Sequence, residues 1–166
     1  MFRIRAEFND QMEIGASLGR VRDFFADPLN FAGLMPGVER ITSETGGVRR
    51  WTIRADVPVI GAIYQMFAVR QTEDGEHRIE WSPVADEKKN LLRYAAAFEE
   101  VGARTLIRIA QRVELRRDQA RELHLLAGLL GEHRLSSEMQ GRVTEMMRAF
   151  LQSARVKLEQ QSAPAA

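Results

Sequence analysis

The 166-residue chain contains no cysteine, which excludes disulfides, a thiol nucleophile and a thiolate-held metal. Histidine is scarce too. The chain has three, His77, His124 and His133, and their scatter along it does not suggest a metal site. No metal or other cofactor is expected. Charge of one sign is equally lacking: 24 Lys and Arg face 23 Asp and Glu, a formal net charge of +1. No bulk field then draws in nucleic acid or an anionic membrane, and nucleic acid is not an expected partner. Long hydrophobic runs are missing as well. The longest, Leu123 to Leu130, is interrupted by His124 and falls short of the roughly 18 apolar residues of a membrane span. The opening Met1-Phe2-Arg3-Ile4-Arg5 has no apolar signal-peptide core. These absences lead to an expectation of a cytoplasmic protein without stable membrane insertion. A phosphate-cradling loop is not found either, since Gly15-Ala16-Ser17-Leu18-Gly19 lacks the spacing and the lysine. No residue is singled out as catalytic.

What is present is the material of one ordinary domain. Hydrophobic residues make up 45% and charged residues 28%, a balance that supports a packed core at this length. A single domain is expected over residues 1–160, with a disordered tail at 161–166. Residues 2–14 alternate loosely and read as a strand, with Ser17 as the cap of a following helix. Leu18, Val21, Phe24 and Phe25 then follow helical spacing up to Asp27-Pro28, where a second short helix starts and runs to about Met35.

Beyond Pro36-Gly37 the period changes to two. Six strands are read at residues 38–45, 48–57, 62–72, 76–82, 91–99 and 104–115, parted by glycine- and proline-bearing turns. The last is the clearest: Thr105, Ile107, Ile109, Gln111, Val113 and Leu115 oppose Arg104, Arg108, Arg112 and Glu114. The arginines read as a solvated outer face interspersed with Glu99 and Glu114. A final helix is expected over Ser136 to Gln160, capped by Ser136, with Met139, Val143, Met146, Met147, Phe150, Leu151, Ala154 and Leu158 on one face. Strand, two helices, six strands and a long helix make an α+β arrangement: a seven-stranded antiparallel sheet with one face on the long helix.

The order of elements resembles the START/polyketide-cyclase (SRPBCC) superfamily. The segment Val21-Arg22-Asp23-Phe24-Phe25-Ala26-Asp27-Pro28, then Phe31, then Leu34-Met35-Pro36-Gly37-Val38, is similar to its characteristic opening. The Gly-containing stretch Leu126 to Gly131 resembles the branch of that superfamily associated with carbon monoxide dehydrogenase. The resemblance implies a helix-grip fold: a curved sheet wrapped around the long helix, enclosing a cavity for an apolar or aromatic molecule. It brings no family-wide catalytic residue, and an enzyme is not the expectation.

Alternation carried across the strands yields a ligand-facing set of Gln65, Phe67, His77, Trp81, Tyr94, Phe98 and Gln111, joined by Met139, Met146 and Phe150 from the long helix. Methionine's flexibility suits a site of variable shape. The leading expectation is a carrier or sensor of a lipid-like or aromatic molecule. A polyketide cyclase/dehydrase-type enzyme and a protein-interaction or assembly factor are the alternatives. The leucine-rich segment Leu123 to Leu130 is the expected surface for any homodimer or protein partner, and residues 117–135 are expected to form a lid or docking segment.

Overall fold

Thirteen residues, Phe2–Ile14, alternate buried and exposed along strand β1, and the chain then turns into two short helices, α1 (Leu18–Ala26) and α2 (Pro28–Leu34). The computed structural model describes residues 1–162. Asp27 separates the helices. Its carboxylate accepts from the Leu29 backbone N–H at 3.0 Å, the N-cap bond an aspartate supplies, and Pro28 occupies the first turn where a missing N–H costs nothing. Ser17 stands at the cap position of α1, but its side chain makes no capping bond.

Six strands follow: β2 (Val38–Ser43), β3 (Val48–Val57), β4 (Gly61–Asp74), β5 (Arg78–Pro83), β6 (Asn90–Val101) and β7 (Arg104–Arg117). The sheet order is β1-β7-β6-β5-β4-β3-β2, with every neighbouring pair antiparallel. Sequential strands are hairpin neighbours, and β1 closes the far edge beside β7. This is the seven-stranded α+β arrangement expected from the change of period.

The inner face is read directly on β7, where Thr105, Ile107, Ile109, Gln111, Val113 and Leu115 are all buried. Thr105 satisfies its hydroxyl on the Ala16 carbonyl at 2.8 Å, fastening the end of β7 to the entry of α1. On the outer face Arg108 pairs with Glu99, Arg112 with Glu7 and Arg116 with Glu114.

The last helix, α3, spans Ala127–Ser162 and is interrupted at Gly131 (φ 79°, ψ 165°), a conformation that glycine adopts without a Cβ penalty. Past that break it runs on from residue 132, four residues before the expected start, and a short helical segment from Ala127 lies ahead of the break. Ser136 is therefore no cap but a mid-helix residue, and its hydroxyl accepts from the Arg5 N–H at 3.2 Å. The reason is tertiary: Ala127 and Leu135 are buried, which holds helical turns on both sides of the break that Gly131 makes. The span 117–135, expected as a lid, is the end of β7, a single 3₁₀ turn at Ala120–Glu122 and the start of α3. Leu125 and Leu129 stay 85% and 81% exposed, whereas Leu123 and Leu130 pack partly against the core. Gln161 and Ser162 are helical rather than tail; residues 163–166 of the expected tail lie outside the described residues.

Candidate functional site

The space between sheet and α3 is filled at one end and open at the other. The filled end is aromatic. Phe31, from α2, inserts its ring between the helix and the sheet, 4.3 Å from Phe150 in a stacked pair, and 5.2 Å from Trp51 and 5.0 Å from Tyr94. Phe25 adds edge and tilted contacts to Phe150 and Phe98. Such pairs contribute about 0.5–1.5 kcal/mol each beyond the area they bury, so this end is closed by a wedge of packed rings.

The open end holds a cavity of about 90 Å³. Its walls are Ile53, Ala55 and Val57 from β3; Ile63, Gln65 and Phe67 from β4; Gln111, Val113 and Leu115 from β7; and Leu135, Met139, Val143 and Met146 from α3. Alternation explains the three strand triplets, which each take every second residue of one face. The α3 residues recur at helical spacing and turn the same stripe toward the gap. Gly37, at φ 88°, permits the close approach on the α2 side: a Cβ there would meet the Arg54 carbonyl at 2.9 Å.

Three polar residues reach the cavity: Gln65, Gln111 and Arg142. Gln111 is 7% exposed, and no hydrogen bond to its amide is formed by any described residue. Its amide atoms are not among the fully enclosed ones, so the group faces open space at the cavity it borders and is free to take a partner there. Gln65 is engaged: its Oε1 accepts from Asn90 Nδ2 at 3.1 Å and from Arg117 Nη2 at 3.0 Å. Arg117 also donates to Asn90 Oδ1 and to the carbonyls of Lys89 and Arg116. No carboxylate of a described residue lies within ion-pair distance of it. Burial pushes its guanidinium down from the ordinary arginine value, against the raising effect of the more distant Glu122 and Glu87. Two fully buried polar side-chain atoms lack partners among the described residues, Trp51 Nε1 and Tyr94 Oη. Burial holds the Tyr94 hydroxyl well above the ordinary tyrosine range, in its neutral form.

Five of the ten ligand-facing residues expected from alternation border the cavity: Gln65, Phe67, Gln111, Met139 and Met146. The other five lie elsewhere. Trp81, Tyr94, Phe98 and Phe150 face inward but belong to the filled core. His77 stands exposed just before β5, its Nδ1 3.3 Å from the Phe98 carbonyl, because the turn ahead of β5 breaks the alternation. Residues that the strand patterns did not single out include Ile53, Ala55 and Val57, which share a strand face with Trp51, and Arg117, which shares the inward parity of Leu115. Among the described residues, no cluster of three or more histidine, aspartate or glutamate side chains is placed to hold a metal. No described helix is long and apolar enough to cross a membrane.

No protein-family profile matches the chain, and no curated protein matches it significantly. Solved structures do. The Zhui aromatase/cyclase from Streptomyces sp. R1128 superposes with a TM-score of 0.70 at 17% identity, covering 98% of each chain. The di-domain aromatase/cyclase StfQ of the steffimycin biosynthetic pathway gives 0.66 at 9% identity, covering 96% of this chain, which spans only 52% of StfQ. A conserved protein from Geobacillus kaustophilus gives 0.64 at 7% identity, with 93% and 95% covered. At these identities the likeness is one of fold, and the fold shared is the helix-grip fold.

Proposed function

We propose that the protein binds a small, largely apolar molecule in the cavity between sheet and α3, as a carrier or sensor. The observation that carries this reading is Gln111, a residue more than nine-tenths buried, bordering a mostly apolar cavity and lacking a side-chain partner among the described residues. A core with no ligand gains nothing from such a group, because an aliphatic residue there would pack without the polar cost. The methionines Met139 and Met146 supply walls that adjust to shape.

At about 90 Å³ the cavity is well below the ~300–1,000 Å³ of ordinary ligand sites. Binding of anything larger than a few atoms therefore needs the walls to move. The experiment is native mass spectrometry of the purified protein with denaturing extraction, followed by titration of an apolar fluorescent dye. Dye binding is expected, and Met146→Glu is expected to abolish it while the far-ultraviolet spectrum is kept. Undiminished dye binding by the folded variant rejects the site.

A second reading, a polyketide cyclase-type enzyme, draws on two of the structural neighbours, which are aromatase/cyclases. A base near the substrate would have to take a proton. The residues bordering the cavity include no histidine, aspartate or glutamate, and this weighs toward binding over catalysis.

A further inference from the structure

Phe31 sits where the cavity would continue. The cavity's inner wall is Phe67 and Gln111. In the sheet register Phe67 pairs with Trp51 and Gln111 with Tyr94, and Trp51 and Tyr94 are the two residues whose rings pack on Phe31. Level with the inner wall and one strand to its side, then, the gap is occupied by a single phenyl ring carried on α2, a helix of seven residues. The two buried polar side-chain atoms without partners, Trp51 Nε1 and Tyr94 Oη, belong to these same two residues, and the unpartnered Gln111 amide adjoins them. A phenyl ring can satisfy none of the three.

We propose that Phe31 closes a deeper subsite, and that the ligand's leading group is a planar ring bearing a hydroxyl or carbonyl oxygen, which displaces the Phe31 ring, stacks on Phe150 and hydrogen-bonds to Trp51, Tyr94 and Gln111. The chemistry of the three groups sets the class. The indole N–H only donates, the tyrosine hydroxyl and the glutamine amide both donate and accept, so the ring must carry an acceptor and is best served by an oxygen that can do both. Phe31 itself shows the steric fit, since its ring lies nearly parallel to that of Phe150, 19° apart. A simple apolar ligand would fill the space and leave all three groups unpaired. The inference rests on the cavity reading above and adds the displacement of Phe31 and the oxygen requirement.

The test compares 2-naphthol with 2-methylnaphthalene, alike in shape and different in the oxygen. Affinities come from calorimetry. The two indole N–H signals of the chain, Trp51 and Trp81, are followed by nitrogen-15 NMR. The expected result is at least fivefold tighter binding of 2-naphthol, with a downfield shift of the Trp51 indole signal that 2-methylnaphthalene does not produce. Phe31→Leu should tighten both probes by threefold or more, because less must be displaced. Tyr94→Phe, which leaves the wedge in place, should cut the preference for 2-naphthol at least threefold and leave the affinity for 2-methylnaphthalene unchanged; this variant decides the matter if Phe31→Leu does not fold. Equal binding of the two probes, or an unchanged preference in Tyr94→Phe, overturns the inference while leaving the cavity reading standing. Binding of neither probe overturns both.

Discussion

Glu7 and Gln140 hold each other by two hydrogen bonds: the Glu7 N–H donates to Gln140 Oε1 at 2.8 Å, and Gln140 Nε2 donates to the Glu7 carbonyl at 2.7 Å. A side-chain amide thus does for edge strand β1 what a neighbouring strand would do. The same device recurs at Arg5 with Ser136 and at Arg3 with Glu132, so residues four apart on α3 serve residues two apart on β1. Four helical residues rise about 6.0 Å and two strand residues about 6.7 Å, so the rows keep step only briefly. By the next position Thr144 binds Gln140 instead. Gln140→Leu should lose both bonds and cost about 1–3 kcal/mol at roughly 0.5–1.5 kcal/mol per bond, and should raise the tendency to aggregate by exposing a strand edge. Denaturant unfolding and light scattering measure the two effects; unchanged stability would show that the pairing contributes nothing.

Val59, at the tip of the β3–β4 hairpin, has φ 73° while its side chain is 72% exposed. A β-branched residue in the left-handed region is strained by about 1–3 kcal/mol, and little burial offsets that here. Val59→Asn, which tolerates this conformation, is expected to stabilise the protein by about 1 kcal/mol and raise the melting temperature by about 2–4 °C. Val59→Gly should gain less, because glycine adds freedom to the unfolded chain. A lower melting temperature for Val59→Asn would contradict the attribution of strain to this residue.

Acid should loosen the sheet's outer face. The Arg116 hydrogen bond, aided by the charges of Arg116, Arg5 and Arg3, holds the Glu114 carboxyl below its ordinary value against the effect of burial. At Glu80 burial alone would raise the value, but hydrogen bonds from Arg78, Arg93 and Ser82 outweigh it. Both groups are more acidic folded than unfolded, so they stabilise the fold above the unfolded glutamate value of about 4.3 and lose that contribution as pH falls below it. The melting temperature should drop between about pH 5 and pH 3, less steeply in Glu114→Gln. An equally steep drop in the variant would remove Glu114 from the explanation.

Arg117 ties three strands at the cavity rim through Gln65, Asn90 and two backbone carbonyls. Arg117→Met strands those acceptors and should cost about 1–3 kcal/mol. Arg117→Lys should restore little, since an ammonium cannot reproduce the planar fork. Full recovery by lysine, read in chemical denaturation, would mean that charge alone matters.

The sheet was legible in the sequence because its inner face is the only place for the alternating residues of β7, and Asp27-Pro28 and Pro36-Gly37 punctuate the helices by local chemistry. The start of α3 was not, since it depends on burial of Ala127 and Leu135 against a distant part of the chain. Half of the site escaped for a similar reason. Alternation tells which face a residue takes; it does not tell whether another side chain has already filled the space in front of it. Trp81, Tyr94 and Phe98 do face inward, but Phe25 and Phe31 bring aromatic bulk to that end from α1 and α2, and no strand pattern reports that.

The small volume of the cavity carries a consequence for time. Any molecule larger than the space available must wait for the walls to part, so its observed association rate should level off at the frequency of opening, where unhindered docking at ~10⁵–10⁷ M⁻¹s⁻¹ would keep rising in proportion to concentration. Departure obeys the same clock. A bound molecule would remain for as long as the walls that parted to admit it stay closed, however weak its own contacts, and a carrier so built would retain its cargo by slowness rather than by affinity.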